Sequence, residues 1–257
     1  MSAGISMQKK NLGKTGMQVA PLGLGTVKLG RSEGVKYPEP VQIPNDADAR
    51  KLLDTAHSLG VNLLDTAPAY GHSEERLGQL LENRRDHWLL CTKVGETFAN
   101  GQSSYDFSAT AVTESVERSL RRLRTDVLDI VLIHSDGNDT TILQGDALDT
   151  LQRLKADGKI RAVGLSHKTI EGARLALALG VDVLMATLNR GYVDEAGVIA
   201  EAADAGVGVL IKKALASGHN DPSDLSFVSG FKGVSSIVIG TTNVDHLQQN
   251  VTALGWR

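Results

Sequence analysis

One unit recurs along the chain: an amphipathic helical stretch that ends in glycine, followed at once by a short apolar run. It appears as LGVNLLD (59–65), DGKIRAVGLS (157–166), LGVDVLMA (179–186) and AGVGVLI (205–211). Glycine after a helix adopts the left-handed conformation that closes it. An almost continuous apolar run is typical of a parallel strand buried on both faces. The pattern therefore predicts repeated β-α units.

Eight such pairs span the sequence, which is the rhythm of an α/β fold of the (β/α)8 TIM barrel type. No linker or low-complexity tract interrupts them, so we expect one domain over 1–257, with a short β-hairpin near 8–18 beneath the barrel. Segments 27–45 and 94–107 look irregular and should lie over the C-terminal face. The predicted strands lie near 20–25, 61–65, 88–93, 128–134, 160–165, 181–186, 207–212 and 235–239, and the predicted helices near 46–59, 73–82, 108–124, 143–157, 168–178, 193–205, 221–230 and 243–254.

Composition narrows the classes of partner. A net charge of -3 with no basic cluster on one face argues against nucleic acid, and the apolar runs are too short for a membrane span. A lone cysteine, Cys91, excludes an internal disulfide and a cysteine metal site. We therefore expect no metal. Because the segment MSAGISMQKK also lacks an apolar signal-peptide core, we expect a cytoplasmic protein. The oligomeric state stays open.

Four ionisable residues stand at or just after the ends of successive predicted strands. Asp65 ends the second strand, Tyr70 follows it by five residues, Lys93 ends the third strand and His134 ends the fourth. In a parallel barrel these ends open on one rim, so we expect the four side chains to converge.

Together these groups suit the reduction of a carbonyl. A phenol has a pKa of about 10, and a nearby ammonium should lower the pKa of Tyr70. Asp65 would hold Lys93 in place, and Tyr70 would give a proton to the carbonyl oxygen. His134 would donate a hydrogen bond to the same oxygen and orient it.

Several motifs resemble the aldo-keto reductase family, in the manner of a short bacterial-type member. They are LGKTGMQVAPLGLGT (12–26), DTAPAYGHSE (65–74), the Leu-x-x-Asp-x-Leu-Asp-x-x-x-x-His spacing of 123–134, GKIRAVGLS (158–166) and IVIGTTNVDHLQQNV (237–251). The resemblance implies a (β/α)8 barrel, a nicotinamide cofactor, a small carbonyl substrate and a catalytic set of Asp65, Tyr70, Lys93 and His134.

The resemblance also implies where the cofactor would bind, with NADP(H) favoured and NAD(H) possible. Several positions depart from the family pattern: His167 and Met185 replace an Asn and a Gln, and Lys212 stands where an aromatic residue often stacks on nicotinamide. Gly240 and His246 stand where basic residues often clamp the 2'-phosphate, so NAD is an option. The implied cofactor residues are Gly25, Thr26, Asp65, Ser166, His167, Met185, Lys212, Lys213, Leu215, Gly240, Thr241, Thr242, His246, Gln249 and Asn250.

Two other functions remain open from the sequence. The first is a cofactor-binding redox sensor or regulatory module with little turnover, because a barrel alone does not decide function. The second is a Schiff-base lyase that uses Lys93 or Lys212 as its nucleophile, since a lysine at a barrel strand end is a suitable residue for that chemistry.

Overall fold

A computed structural model describes residues 7–38 and 40–255. The prediction of one domain over 1–257 therefore extends past the described residues. The strands are β1 (Lys10–Asn11), β2 (Gln18–Val19), β3 (Leu22–Gly25), β4 (Leu63–Asp65), β5 (Leu89–Val94), β6 (Glu96–Ala99), β7 (Gln102–Tyr105), β8 (Leu128–His134), β9 (Ile160–Ser166), β10 (Val183–Thr187), β11 (Gly208–Lys212) and β12 (Ser236–Ile239). Eight of them form a closed parallel barrel in the order β10-β11-β12-β3-β4-β5-β8-β9.

The helices pack around the barrel and follow its strands in sequence. Side chains of Asn45, Ser108, Thr169 and Asn243 accept hydrogen bonds from first-turn N–H groups of four of them, which satisfies donors that a helix start leaves free. None of the helices in the described part of the chain is long and apolar enough to span a membrane. They are α1 (Asp46–Ser58), α2 (Ser73–Leu80), α3 (Ala109–Leu123), α4 (Asp139–Leu143), α5 (Ala147–Ala156), α6 (Ile170–Ala178), α7 (Ala196–Ala205), α8 (Asp224–Ser229) and α9 (Val244–Ala253).

The (β/α)8 barrel and its eight strands are thus confirmed. The helix-glycine-strand unit has the expected physical cause: Gly206 ends α7 with a φ of 78° and β11 begins two residues later. Apolar side chains fill both the barrel interior and the layer between strands and helices.

The N-terminal hairpin closes the bottom of the barrel, as predicted. Leu12 and Met17 are buried in the same interior cluster as Cys91 and Leu210, and the backbone N–H of Lys14 donates to Gly206 O at 2.8 Å. The hairpin therefore covers the end opposite the predicted site.

Two segments contain more regular structure than the sequence suggested. Segment 94–107, predicted irregular, holds the antiparallel hairpin of β6 and β7. Residues 135–142, which lie between a predicted strand and a predicted helix, contain most of the short helix α4. The hairpin matters most, because its first residue, Glu96, reaches the site.

Candidate active site

One cavity of about 1250 Å³ contains every residue that the sequence assigned to catalysis or cofactor binding. It opens at the C-terminal ends of the barrel strands, where active sites of this fold lie. The predicted residues that line it are Gly25, Thr26, Asp65, Tyr70, Lys93, His134, Ser166, His167, Met185, Lys212, Lys213, Leu215, Gly240, Thr241, Thr242, His246, Gln249 and Asn250.

A buried ion pair lies at the base of this cavity. Lys93 Nζ donates to Asp65 Oδ1 at 2.7 Å and to Thr66 O at 2.8 Å, and the side chains of the two charged residues are 2% and 6% exposed. Burial opposes the charge on Lys93, yet Asp65 raises the pKa of Lys93 above its ordinary value. The lysine is therefore a fixed cation.

Tyr70 lies beside this cation on the loop between β4 and α2. Lys93 Nζ is 4.8 Å from the centre of the Tyr70 ring. The loop is held by buried contacts: Ser73 Oγ donates to Thr26 O at 3.0 Å, and Thr26 Oγ1 donates to Asp65 O at 2.9 Å. Tyr70 is thus positioned by the ends of two neighbouring strands, β3 and β4.

The pKa of Tyr70 differs from the expectation that Lys93 would lower it below the usual range. Burial raises the pKa of Tyr70 to about 12, and Asp65 acts in the same direction, while Lys93 lowers it only in part. The reason is that burial of the phenol outweighs the field of the ammonium, which the carboxylate of the ion pair also opposes. Tyr70 is therefore a protonated phenol at neutral pH.

His134, at the end of β8, contacts both Tyr70 and a carboxylate. Its ring meets the Tyr70 ring edge-on, with 6.4 Å between centres, and its Nδ1 lies 2.6 Å from Glu96 Oε2. Burial lowers the pKa of His134 despite the opposing effect of Glu96. Burial would raise the pKa of Glu96, but His134, Ser103 and the charge of Arg31 lower it to about 2.

A second polar cluster occupies the wall formed by β9, β10 and β11. Lys212 Nζ donates to Ser166 Oγ at 3.0 Å and to His167 O at 2.6 Å. The buried His167 ring pairs with Glu195 through Nε2 at 2.7 Å. Burial lowers the pKa of Lys212 to about 7, against the attraction of Glu195. Met185 lies in the barrel interior below them.

The loop after β11 has a strained backbone. Lys213, Ala216 and Ser217 have φ values of 58°, 46° and 63°, a region that non-glycine residues rarely occupy. Strain of this kind concentrates at ligand-binding segments. Lys213 and Leu215, both implied cofactor residues, belong to this loop.

The far end of the cavity lies between β12 and the start of α9. Asn243 caps the helix there, accepting from the N–H groups of Asp245 at 2.7 Å and His246 at 3.2 Å. Thr241 Oγ1 accepts from Asn243 N at 3.1 Å. Because these helix donors already have partners, they are not free to bind a phosphate.

Sequence reasoning missed three residues that shape the cavity. Glu96 contacts His134, Glu195 pairs with His167, and Tyr37 lies so close to Gly240 that a Cβ there would be 2.7 Å from its hydroxyl. The described part of segment 27–45 therefore does cross the C-terminal face, as expected. Only Glu96 had a local signal: Asn100-Gly101 is a typical hairpin turn, and both residues have positive φ, which places Glu96 at the start of a paired strand.

The model of the aldo/keto reductase family matches residues 21–224 of this sequence. The chain belongs to the aldo/keto reductase family. As a member of this family it is an oxidoreductase, and the family as a whole reduces carbonyl groups with NAD(P)H.

Individual relatives of this aldo/keto reductase agree with that assignment. A crystal structure described as an aldo-keto reductase from Pseudomonas aeruginosa shares 48% identity, with a TM-score of 0.89 over 98% of this chain and 97% of that one. L-galactose dehydrogenase of Arabidopsis thaliana is 27% identical over 96% of this chain and 88% of its own length. The oxidoreductase YqkF of Bacillus subtilis is 32% identical over 62% of this chain, but this match spans only 49% of YqkF.

The cavity of this aldo/keto reductase fits a dinucleotide. Its volume of about 1250 Å³ exceeds the roughly 300–1,000 Å³ of ordinary small-molecule sites. A Cβ on Gly25 would lie 3.2 Å from Val238 Cγ1 and 3.5 Å from Gly240 N, so glycine lets the ends of β3 and β12 approach each other closely at the cavity wall. The Lys212 ammonium has three donors and two acceptors among the described residues, which leaves one donor for a bound group.

Proposed function

We propose that this protein reduces aldehydes or ketones to alcohols with NAD(P)H, using Tyr70 as the proton donor. One observation carries the proposal: a phenol, a fixed ammonium and an imidazole meet at the base of a cavity large enough for cofactor and substrate. When bound, the cofactor supplies the hydride that adds to the carbonyl carbon.

The residues have complementary roles in this proposal. Tyr70 transfers its proton to the carbonyl oxygen as the hydride arrives at the carbon, so the product is a neutral alcohol. Lys93 stabilises the phenolate that remains, and Asp65 keeps Lys93 charged and in place. His134 orients the substrate, and Tyr70 regains its proton from water.

The cofactor would lie along the cavity from Ser166 and Lys212 to the residues at the start of α9. NADPH is the favoured cofactor, as the family resemblance implies. NADH is the alternative, because His246 and Gly240 stand at the 2'-phosphate end instead of Lys or Arg. A cytoplasmic location belongs to the same proposal and rests on the single cysteine.

Fluorescence titration of the purified protein with NADPH and, separately, NADH tests this proposal. We expect saturable binding of at least one cofactor, followed by a fall in its absorbance when an aldehyde is added. The ratio of the two dissociation constants decides the cofactor preference. Binding without turnover across a broad panel of carbonyl compounds would instead indicate a redox sensor, and no binding would refute the proposal.

A specific observation favours one further candidate, a Schiff-base lyase that uses Lys212. With a pKa of about 7, Lys212 is partly unprotonated at neutral pH, as an amine nucleophile must be. Lys93 does not meet this condition, because Asp65 raises its pKa. Borohydride treatment in the presence of an aldehyde would attach the substrate covalently to Lys212 if this function were correct.

A further inference from the structure

A second cation lies in the cavity, apart from the ion pair at its base. Lys212 ends β11, and its Nζ donates to Ser166 Oγ at 3.0 Å and to His167 O at 2.6 Å. Ser166 is in turn the register partner of His134 on the neighbouring strand β8. The ammonium of Lys212 is therefore anchored one strand away from the residues proposed for catalysis.

The charge of Lys212 is not neutralised by a direct contact. Both of its hydrogen-bond acceptors are neutral, one a hydroxyl and the other a backbone carbonyl. Glu195 is nearby, but its Oε2 accepts from Thr187 N at 2.8 Å and lies 2.7 Å from His167 Nε2. Because this carboxylate is held by other groups, the ammonium keeps one donor and an unpaired charge on the cavity wall.

The neighbouring side chains leave Lys212 to meet a ligand at this wall. The ring of His167 is fully buried and faces Glu195, and Met185 has no hydrogen-bond donor. Lys212 is half-buried and lines the cavity beside Ser166. A group bound against β9, β10 and β11 therefore meets a cation there.

The proposed reaction decides which part of the cofactor would lie near this cation. The carbonyl oxygen must be within hydrogen-bond reach of Tyr70, and the carbonyl carbon must lie next to the hydride donor, the nicotinamide ring. That ring therefore belongs at the base of the cavity. The field of Lys212 extends to this region: burial lowers the pKa of His134, and the charge of Lys212 acts in the same direction.

The nicotinamide ring has a different charge in its two redox states. It is a cation in the oxidised cofactor and neutral in the reduced cofactor, while the phosphates and the adenosine are unchanged. An ammonium beside the ring repels the oxidised form alone. An aromatic residue, which often stands at the position of Lys212 in the family, would instead attract the cationic ring through its π face.

We propose that Lys212 makes cofactor binding selective for the reduced form, because its ammonium weakens the binding of the oxidised cofactor. Lys212 is then a specificity-determining residue that favours reduction of a carbonyl over oxidation of an alcohol, since the oxidised cofactor leaves readily and binds poorly. This inference rests on the proposed reductase function, because it needs a nicotinamide cofactor in the cavity.

The selectivity should depend on pH. Burial lowers the pKa of Lys212 to about 7, so the ammonium is present below this pH and is lost above it. Lys93 keeps its charge throughout this range, because Asp65 raises its pKa against the effect of burial. The charged or titratable groups that face Lys212 are Glu195 at the start of α7, Asp139 of α4, Lys93 of β5, His134 of β8, His167 after β9 and Lys213 after β11.

Competition between the two redox forms measures the selectivity. Oxidised cofactor is titrated into the complex with NADPH, or with NADH if that is the form that binds, and the fall in fluorescence gives Kd(oxidised)/Kd(reduced). We expect this ratio to be at least about tenfold higher at about pH 6 than at about pH 9, the equivalent of about 1.4 kcal/mol. Two like charges about 10 Å apart repel by at least this much at an effective dielectric constant of about 20.

Two substitutions separate the charge of Lys212 from its other contacts. Lys212→Met removes the charge, so the ratio should be low at both pH values. Lys212→Arg carries a cation that does not lose its proton, so the ratio should be high at both. Lys168→Met is the matched control: it removes an exposed cation at the cavity rim, whose Nζ lies 5.9 Å from the centre of the Tyr105 ring, and should keep the wild-type ratio at each pH.

The outcomes distinguish this inference from the proposed function. If neither redox form binds, the reductase proposal fails and the role of Lys212 fails with it. If both forms bind but the ratio does not change with pH, or Lys212→Met keeps the wild-type ratio at about pH 6, only the role of Lys212 is refuted. An equal change in Lys168→Met would also refute it, because the total charge of the cavity would then be responsible.

Discussion

The ion pair of Asp65 and Lys93 allows a quantitative prediction that separates stability from catalysis. Asp65→Asn leaves an ammonium buried without its counterion, and Lys93→Met leaves a carboxylate in the same state. The side chains are only 6% and 2% exposed, so neither residual charge can be solvated by water. We expect each single substitution to destabilise the protein strongly.

The expected magnitude follows from the burial. Removing one partner of a buried pair costs about 3–5 kcal/mol, a large part of the roughly 5–15 kcal/mol that stabilises a folded protein. The double variant Asp65→Asn/Lys93→Met has no buried charge. It should therefore lose much less than the sum of the two single losses, with a coupling energy of about 3 kcal/mol or more.

Urea unfolding followed by circular dichroism measures these energies, provided that the slope of the transition is the same in all four proteins. All three variants should lack reductase activity, including the double variant that regains stability. Exposed ion pairs contribute less than about 1 kcal/mol. If each single substitution cost no more than this, the claim that breaking the pair leaves a buried charge without a partner would be refuted.

Further predictions concern the rest of the barrel. Burial lowers the pKa of Lys212 to about 7 in the folded protein, against about 10.4 in the unfolded chain. Between these two pH values the unfolded state binds more protons than the folded state, so the free energy of unfolding rises with pH. Lys212→Met should therefore stabilise the protein more at about pH 6 than at about pH 9 in urea unfolding, and equal gains would contradict this. A Cβ on Gly164 would lie 1.8 Å from Val183 O, whereas one on Gly197 meets nothing within 4 Å. Gly164→Ala should therefore lower the melting temperature, because it costs at least about 1–3 kcal/mol of the free energy of unfolding. Gly197→Ala should raise the melting temperature slightly.

Much of the barrel could be predicted because each unit has a local cause. A glycine closes each of several helices. The side chains of the apolar run that follows are removed from water only if the strand is buried on both faces. The ionisable residues at strand ends were informative for the same reason: a polar group that ends an apolar run, such as Lys93 or His134, must lie at the rim.

The remaining features depend on contacts that no local pattern encodes. The β6 and β7 strands are too polar to show strand periodicity, and only the Asn100-Gly101 turn marks them. The pKa of Tyr70 was expected to fall but lies at about 12, because burial and Asp65 together outweigh Lys93. Predicting such a pKa requires the distances between groups that lie far apart in the sequence.

Single-turnover reduction by Tyr70→Phe tests the central claim most directly. The substitution removes one hydroxyl and keeps the ring beside Lys93. We predict that NADPH or NADH binds with wild-type affinity while the rate of hydride transfer to an aldehyde falls by about 10²–10⁴-fold. A rate within a few-fold of wild type would show that Tyr70 is not the proton donor.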